Sequence, residues 1–404
     1  MTYKETLEWL YNQLPMFQKI GGAAYKKDLT NTLNLTKHLG NPHTKFKTIH
    51  VGGTNGKGST SSMLASVLME AGYKVGLYTS PHLKDFRERI TLNGKPISRK
   101  YVVNFIAKNK PFFSENNLSF FEMTVGLAFQ YFADQKVDVA IIEVGMGGRL
   151  DSTNIITPLV SVITTIGFDH MQFLGTTLEA IATEKAGIIK PNVPVVIGEY
   201  TKETKSVFET KTKAAKAAVV FAQDSEPVDY PSELKGNYQN QNKQTVVATC
   251  HLLQQHFNLS ELHITNGIAK VVTNTGLKGR WQVIQEKPKV ICDTAHNSQG
   301  LALVMQQVKQ EHYDTLHIVL GVVNDKDLAS ILPLFPKEAI YYFCKPAIER
   351  GLDASLLQTT AATYGLIGKT YASVKSAKKA ALRKSSPTDF IYIGGSTFVV
   401  AEVI

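Results

Sequence analysis

Cysteine is scarce in this chain: Cys250, Cys292 and Cys344 are the only three, far apart and set among apolar neighbours. No CxxC pair and no even count marks a secreted disulfide scaffold, so these thiols read as core residues of a protein kept in a reducing compartment. Long apolar runs are also missing, and nothing approaches the ~20 residues of a membrane span. The N-terminal MTYKETLEWLYNQLP is amphipathic and lacks the apolar centre of a signal peptide. The expectation is a cytoplasmic protein with no membrane partner. Internal repeats and low-complexity tracts are absent as well.

What is present is an ordinary globular composition. With 404 residues, 43% hydrophobic and 19% charged, the chain is neither disordered nor fibrous and has the length of two domains. Its 44 Lys+Arg against 34 Asp+Glu leave a net charge of +10, a field that favours anionic partners. The basic residues are scattered apart from Lys378-Lys379 and Arg383-Lys384, with no interleaved aromatics, so a nucleic-acid face is unsupported.

Apolar, β-rich runs at 48–51, 74–79, 137–144, 159–166 and 193–197 predict strands. Their apolarity is continuous rather than alternating, as in a parallel sheet covered by helices on both faces. The segment 59–71 predicts a helix with Met63, Leu64, Val67, Leu68 and Ala71 on one face and Gly72 as its stop. A polar run at 236–244 leads into an apolar-periodic helix, and a connector follows near 274–280. Strands then recur at 289–292, 316–320, 340–344 and 390–393. The fold class is therefore α/β, with a first domain over 1–277 and a smaller α/β domain over 278–404.

Four segments carry chemistry in the first domain. His50-Val51-Gly52-Gly53-Thr54-Asn55-Gly56-Lys57-Gly58-Ser59-Thr60 is a strand end, a glycine turn, a lysine and hydroxyls at a helix start. Such a loop turns backbone N–H groups around phosphate oxygens, with the lysine on the terminal phosphates and a hydroxyl on Mg²⁺. It departs from the general phosphate-loop pattern, which wants Gly at 51 and Ser or Thr at 58, where this chain has Val51 and Gly58. The second segment, 141–154, puts Glu143 at the end of a buried strand, followed by three glycines and Asp151. Open α/β sheets bind ligands at that edge, and a carboxylate there suits a hard cation.

The third segment, 166–175, contains His170 just after an apolar strand, where a histidine alone more often has a structural role. The fourth, 181–189, holds Lys185 in an apolar helical setting and, taken alone, reads as a surface lysine. In the second domain, Gly279-Arg280-Trp281 follows the connector, and Asp293-Thr294-Ala295-His296-Asn297 ends a strand; Asn297 or Asp293 could cap a helix there.

Together these segments resemble the folate-pathway members of the Mur-type ligases, folylpolyglutamate synthase and dihydrofolate synthase. GTNGKGS at 53–59 is similar to the family's phosphate loop, and IIEVGMGGRLDSTNII at 141–156 to its second signature. TSPHLKDFRERITLNGKPI at 79–97 resembles the stretch that separates folate members from cell-wall members; GFDHMQFLG and EKAGIIK follow in order. The resemblance runs from about residue 16 to GGSTFVVAEV near the end. The chain departs from it at Thr294, where the family more often has Gly.

The resemblance implies a central ATP-binding domain of Mur-ligase type with a mostly parallel sheet and a smaller Rossmann-like C-terminal glutamate ligase domain. Residue by residue, it implies that Lys57 and the loop Gly53, Thr54, Asn55, Gly56, Gly58, Ser59 and Thr60 hold the phosphates of ATP. Ser59, Glu143 and His170 would serve two Mg²⁺ ions, and Lys185 matches a family lysine that becomes carbamylated. Asn242, Arg280, Asp293 and His296 would contact the nucleotide, clamping ATP between the domains. Ser80 and His82 match a pterin-side loop. The implied reaction joins L-glutamate to the carboxylate of dihydropteroate or a reduced folate, in a monomeric enzyme with no nucleic-acid partner. Another Mur-type amide ligase is a competing expectation, although the phosphate loop starts too early for an extra N-terminal nucleotide-sugar domain. A P-loop NTPase without ligase activity is the other.

Overall fold

The computed structural model describes residues 1–12 and 28–404. The end of the amphipathic N-terminal stretch and the start of the family resemblance near residue 16 fall outside the described residues. The chain divides into two compact units, 1–233 with 239–276 and 234–238 with 277–404. Among the described residues no helix is long and apolar enough to cross a membrane. All three cysteines are buried free thiols.

The first unit is built on strands β1 (Lys47–Gly52), β2 (Val75–Tyr78), β3 (Ile90–Leu92), β4 (Lys95–Pro96), β5 (Val139–Glu143), β6 (Val160–Ile163), β7 (Val195–Ile197) and β8 (Val219–Phe221). They form one sheet in the order β4-β3-β2-β5-β1-β6-β7-β8. All neighbours run parallel except the β2-β3 and β3-β4 pairs. The continuous apolar runs are the central strands; β1, β5 and β6 are buried on both faces, as their composition requires.

Helices α1 (Lys57–Glu70), α2 (Phe120–Asp134), α3 (Leu178–Lys185), α4 (Gln239–Leu253) and α5 (Glu261–Ala269) belong to this unit. Ser119 and Glu122 close a capping box on α2. The sequence predicts one apolar face for α1, but every residue from Ser59 to Leu68 is buried. Small side chains permit this enclosure. At Gly267 of α5 an added Cβ would lie 2.4 Å from the Val67 Cα, and Ser66 Oγ donates to the Gly267 carbonyl at 2.6 Å. The polar positions of this helix carry small Ser and Thr side chains, whose hydroxyls cost less to enclose than charged groups would, although Thr60 Oγ1 and Ser61 Oγ are buried without a partner.

The second unit holds β9 (Gln282–Glu286), β10 (Lys289–Cys292), β11 (Leu316–Leu320), β12 (Ile340–Cys344), β13 (Gly368–Tyr371) and β14 (Phe390–Gly394). Their order is β13-β12-β11-β14-β10-β9, with only the edge hairpin β9-β10 antiparallel. Helices α6 (Ser298–Val308) and α7 (Val374–Lys384) pack with others over its two faces. The α/β class with a mostly parallel sheet, expected from the sequence, is what both units display. Strands β3, β4, β8, β9 and β13 were not legible as apolar runs. They are two to five residues long; β4, β8, β9 and β13 are sheet edges, where burial does not demand a continuous apolar sequence, and the buried β3 has only three residues in which to show a pattern.

Candidate functional site

Parallel pairing sets three signature segments side by side. Val51 of β1 is the register partner of Glu143 on β5, and Gly52 is that of Ile163 on β6. The segments that leave these strands, at 53–56, 145–150 and 164–170, therefore emerge together at the carboxyl edge of the sheet, where ligands of such folds bind.

The first loop is shaped by glycines that no other residue could replace. Gly53 has φ +137 and an added Cβ would fall 1.9 Å from Thr164 Oγ1; Gly56 has φ +86 and its Cβ would fall 2.3 Å from Asn242 Oδ1. Gly56 is the N-cap of α1, so the helix opens with main-chain N–H groups toward the loop. Thr164 and Thr165 staple the loop to β6. Thr54 N–H donates to the Thr165 carbonyl at 2.7 Å, Asn55 N–H donates to Thr165 Oγ1 at 3.3 Å, and Thr164 Oγ1 donates to the Asn55 carbonyl at 2.5 Å. Thr54 Oγ1 exchanges bonds with the carbonyl and N–H of Gly167.

Two lysines meet on this loop. Lys57 Nζ donates to the carbonyls of Gly53 and Thr54, each at 3.0 Å. Lys185 Nζ donates to the same Gly53 carbonyl at 2.9 Å. Far from lying at the surface, Lys185 is only 4% exposed. The 145–150 loop covers it: an added Cβ at Gly148 would sit 2.8 Å from the carbonyl oxygens of Glu184 and Lys185, and Arg149 N–H donates to the Glu184 carbonyl at 2.8 Å. Burial first, and the neighbouring Lys57 second, push the Lys185 amine down to about 7, with Asp169 and Asp151 acting the other way.

Asp151 holds the glycine loop in shape. Its buried carboxylate accepts from Met146 N–H at 2.9 Å, from Thr153 N–H at 3.0 Å and from Thr153 Oγ1 at 2.5 Å. Glu143 is 3% exposed and accepts from the Ser80 N–H at 3.3 Å, which ties the 79–82 loop to the end of β5. His170 adopts a left-handed φ of 52 at the start of a short helix, and its N–H donates to Asp169 Oδ1 at 3.0 Å. His82 accepts at Nδ1 from Arg89 Nε at 2.8 Å.

Gln239, Thr164 and Thr165, which the sequence reading passed over, join the expected Asn242 around the loop. Gln239 Nε2 donates to Ser59 Oγ at 3.1 Å, and Asn242 Nδ2 donates to Gln239 Oε1 at 2.8 Å. The signal for Gln239 was the polar run opening α4, which places five amides at the start of a helix that continues mostly apolar. Thr164 and Thr165 left only the trace of two hydroxyls at the end of a buried strand.

Among the described residues no three of His, Cys, Asp and Glu cluster as a metal site. The donors present still suit Mg²⁺, an ion that prefers oxygen and keeps phosphate and water ligands beside one or two from the protein. Ser59 supplies a hydroxyl and Glu143 a carboxylate, and the buried Thr60 Oγ1 in the same turn has no hydrogen-bond partner.

Arg280, Asp293 and His296 belong to the second unit. Asp293 accepts from Tyr238 Oη at 2.5 Å, Trp281 N–H at 2.6 Å and Ala295 N–H at 2.8 Å; burial raises its carboxyl. Arg280 donates to Thr294 Oγ1, so the residue that departs from the family pattern takes part in holding the arginine. His296 Nδ1 lies 3.0 Å from the Thr294 carbonyl. Asn297, not Asp293, caps α6, accepting from Gly300 N–H at 2.9 Å.

The chain is similar to known proteins in sequence and fold. Residues 51–281 match the Mur ligase middle domain and residues 279–397 the Mur ligase glutamate ligase domain. A dihydrofolate synthase/folylpolyglutamate synthase of Bacillus subtilis is 34% identical over 362 residues, 82% of each chain. A probable bifunctional folylpolyglutamate synthase/dihydropteroate synthase of Haloferax volcanii is 32% identical over 433 residues, with all of this chain matched to 50% of that protein; the chain thus spans about half the length of that relative. Among solved structures, Escherichia coli FolC in complex with DHPP and ADP superposes with a TM-score of 0.86 at 28% identity, over 100% of this chain and 97% of that one. A bifunctional folylpolyglutamate synthase/dihydrofolate synthase with Mn, AMPPNP and L-glutamate bound gives 0.85 at 27% identity, over 100% and 97%.

Proposed function

The chain belongs to the Mur ligases, among the folylpolyglutamate and dihydrofolate synthases, and from that premise we propose that it joins L-glutamate to the carboxylate of dihydropteroate, a reduced folate or both, at the expense of ATP. The observation that carries this reading is the meeting of Lys57 and Lys185 on the Gly53 carbonyl beside the strand that ends in Glu143.

A carboxylate resists amines because its charge repels them and its leaving group would be oxide. Transfer of the γ-phosphoryl group removes both obstacles: a carboxylate oxygen attacks the γ-phosphorus, ADP leaves, and an acyl phosphate forms. The amine of glutamate then adds to the acyl carbon, phosphate departs and a proton is released. In this scheme the N–H groups of the 53–60 loop cradle the phosphates, and Lys57 exchanges its bonds to Gly53 and Thr54 for phosphate oxygens. Mg²⁺, held by Ser59 and Glu143 with His170 near it, would supply charge neutralisation on the transferring oxygens. Lys185, with its amine near 7, is substantially unprotonated at neutral pH. That form adds CO₂ with loss of a proton, and the resulting carbamate would turn a cation into an anion beside the loop. Asn242, Arg280, Asp293 and His296 are assigned to the nucleotide, and Ser80 and His82 to the ring end of the acid substrate.

The test offers the purified chain ATP, Mg²⁺ and labelled glutamate, with dihydropteroate and tetrahydrofolate in separate reactions. A product one glutamate heavier, formed only with an acid acceptor, is expected. ADP release that proceeds equally well without acceptor would replace the ligase with an NTPase.

A further inference from the structure

Behind the 80–82 loop lies an arginine that pairs with no carboxylate at ion-pair distance among the described residues, although the Glu143 charge acts on it. This residue, Arg89, is 3% exposed. Its guanidinium lies over the Phe120 ring, 5.2 Å from the centroid. Tyr78 acts on it electrostatically, yet the Tyr78 hydroxyl is buried without a partner of hydrogen-bonding geometry. The side-chain bond that Arg89 does make is the one from Nε to His82 Nδ1, at 2.8 Å. A guanidinium keeps its proton at any ordinary pH, and holding it inside the protein is costly.

The bond fixes the chemistry of the histidine. An arginine N–H can only donate, so His82 Nδ1 offers its lone pair and the single ring proton sits on Nε2. Adding a proton at Nδ1 would break the bond and set two cations together. The ring has little freedom to turn, since Tyr11 stacks on it at 6.4 Å and 16° and Phe86 meets it edge-on at 6.3 Å. The ionisable groups acting on the ring are Arg89 and Asp85, with Tyr11 stacked against it. Burial, and then Arg89, push the imidazole down to about 3, Asp85 opposing them.

We propose that Arg89 is a positioning residue that holds His82 as the neutral Nε2–H tautomer, so that the 80–82 loop offers the acid substrate a hydrogen-bond donor and selects a ring nitrogen lone pair or carbonyl oxygen over an N–H. This rests on the reading that the loop serves the ring end of the substrate. The histidine is the contact and the arginine decides what kind of contact it is.

The tautomer is read by NMR of the full chain labelled with ¹⁵N in its histidine rings, with His82→Gln assigning the signals. The parent should show a bare Nδ1 and a protonated Nε2, with no charge transition through the usual histidine range near about 6.5. Arg89→Met should mix the tautomers and bring the transition back toward that range. The same variant should raise KM for the acid substrate roughly three- to tenfold, the worth of one hydrogen bond, and leave kcat and the KM for ATP little changed. Arg89→Lys, which restores a cationic donor, should recover most of both. A parent ring protonated on Nδ1, or an Arg89→Met ring identical to the parent's, overturns the proposal; the first applies even if Arg89→Met fails to fold. A tautomer that shifts as described with an unchanged KM for the acid removes the loop from the substrate and with it the selective role.

Discussion

At the scale of single residues, the site depends on where two amines lose water. Lys185 has an ordinary value of 10.5 and a folded value of about 7, so between those pH values the unfolded chain carries the extra proton and stability rises with pH. Below about pH 7 the burial penalty is fully present. Lys185→Met should therefore exceed the parent in stability most at the acid end of this window, on the order of a few kcal/mol, and the advantage should shrink toward pH 10.5. Denaturant midpoints in CO₂-free buffer measure it, and a pH-independent difference would contradict the buried amine. Among the described residues Lys57 bonds to its own loop alone, so Lys57→Ala should keep the melting temperature and lower kcat by ~10²-fold or more. Retained turnover would exclude the lysine from the transferring phosphate. For Glu143→Gln, the Mg²⁺ concentration giving half-maximal rate should rise about tenfold, because a neutral amide is a weaker ligand for a hard ion; an unaltered metal titration would remove Glu143 from the ligand set.

At the scale of elements, close approach explains more than apolar pattern does. Helix α1 is enclosed because Gly267 lets α5 touch its main chain. Gly267→Ala must push the two helices apart, and a loss of about 1–3 kcal/mol follows, seen as a lower urea midpoint with an unchanged slope. A midpoint equal to the parent's would mean that the contact has slack. The same reasoning separates what was readable from what was not. The central strands announced themselves because burial on both faces demands Val and Ile throughout. The edge strands β9 and β13, with Gln, Glu, Lys and Thr in them, satisfy one neighbour and water, so their sequences carry no such mark.

At the scale of the whole molecule, a net charge of +10 surrounds a site proposed to take anions. Raising ionic strength until the Debye length falls from ~10 Å to ~3 Å should lower kcat/KM for ATP several-fold with little change in kcat, since steering acts on encounter and not on chemistry. Equal losses in both would point to a disturbed active site instead. The register of β1 with β5 and β6 is what brings segments ninety and more positions apart in the chain to one edge of the sheet.

The order of residues by itself determined the helix start at the glycine loop, the buried strands, the likeness to folate ligases and the names of the candidate groups, because each is written in local spacing that chain geometry translates directly. Only the tertiary structure decided the state of those groups. Lys185 looks like a surface lysine until the 145–150 loop covers it, and His82 has no preferred tautomer until Arg89 bonds to it. Thr164, Thr165 and Gln239 matter only because strand pairing and helix packing bring them to the loop. Solvation, partner and distance set proton affinity and hydrogen-bond direction, and these arise when distant segments fold together.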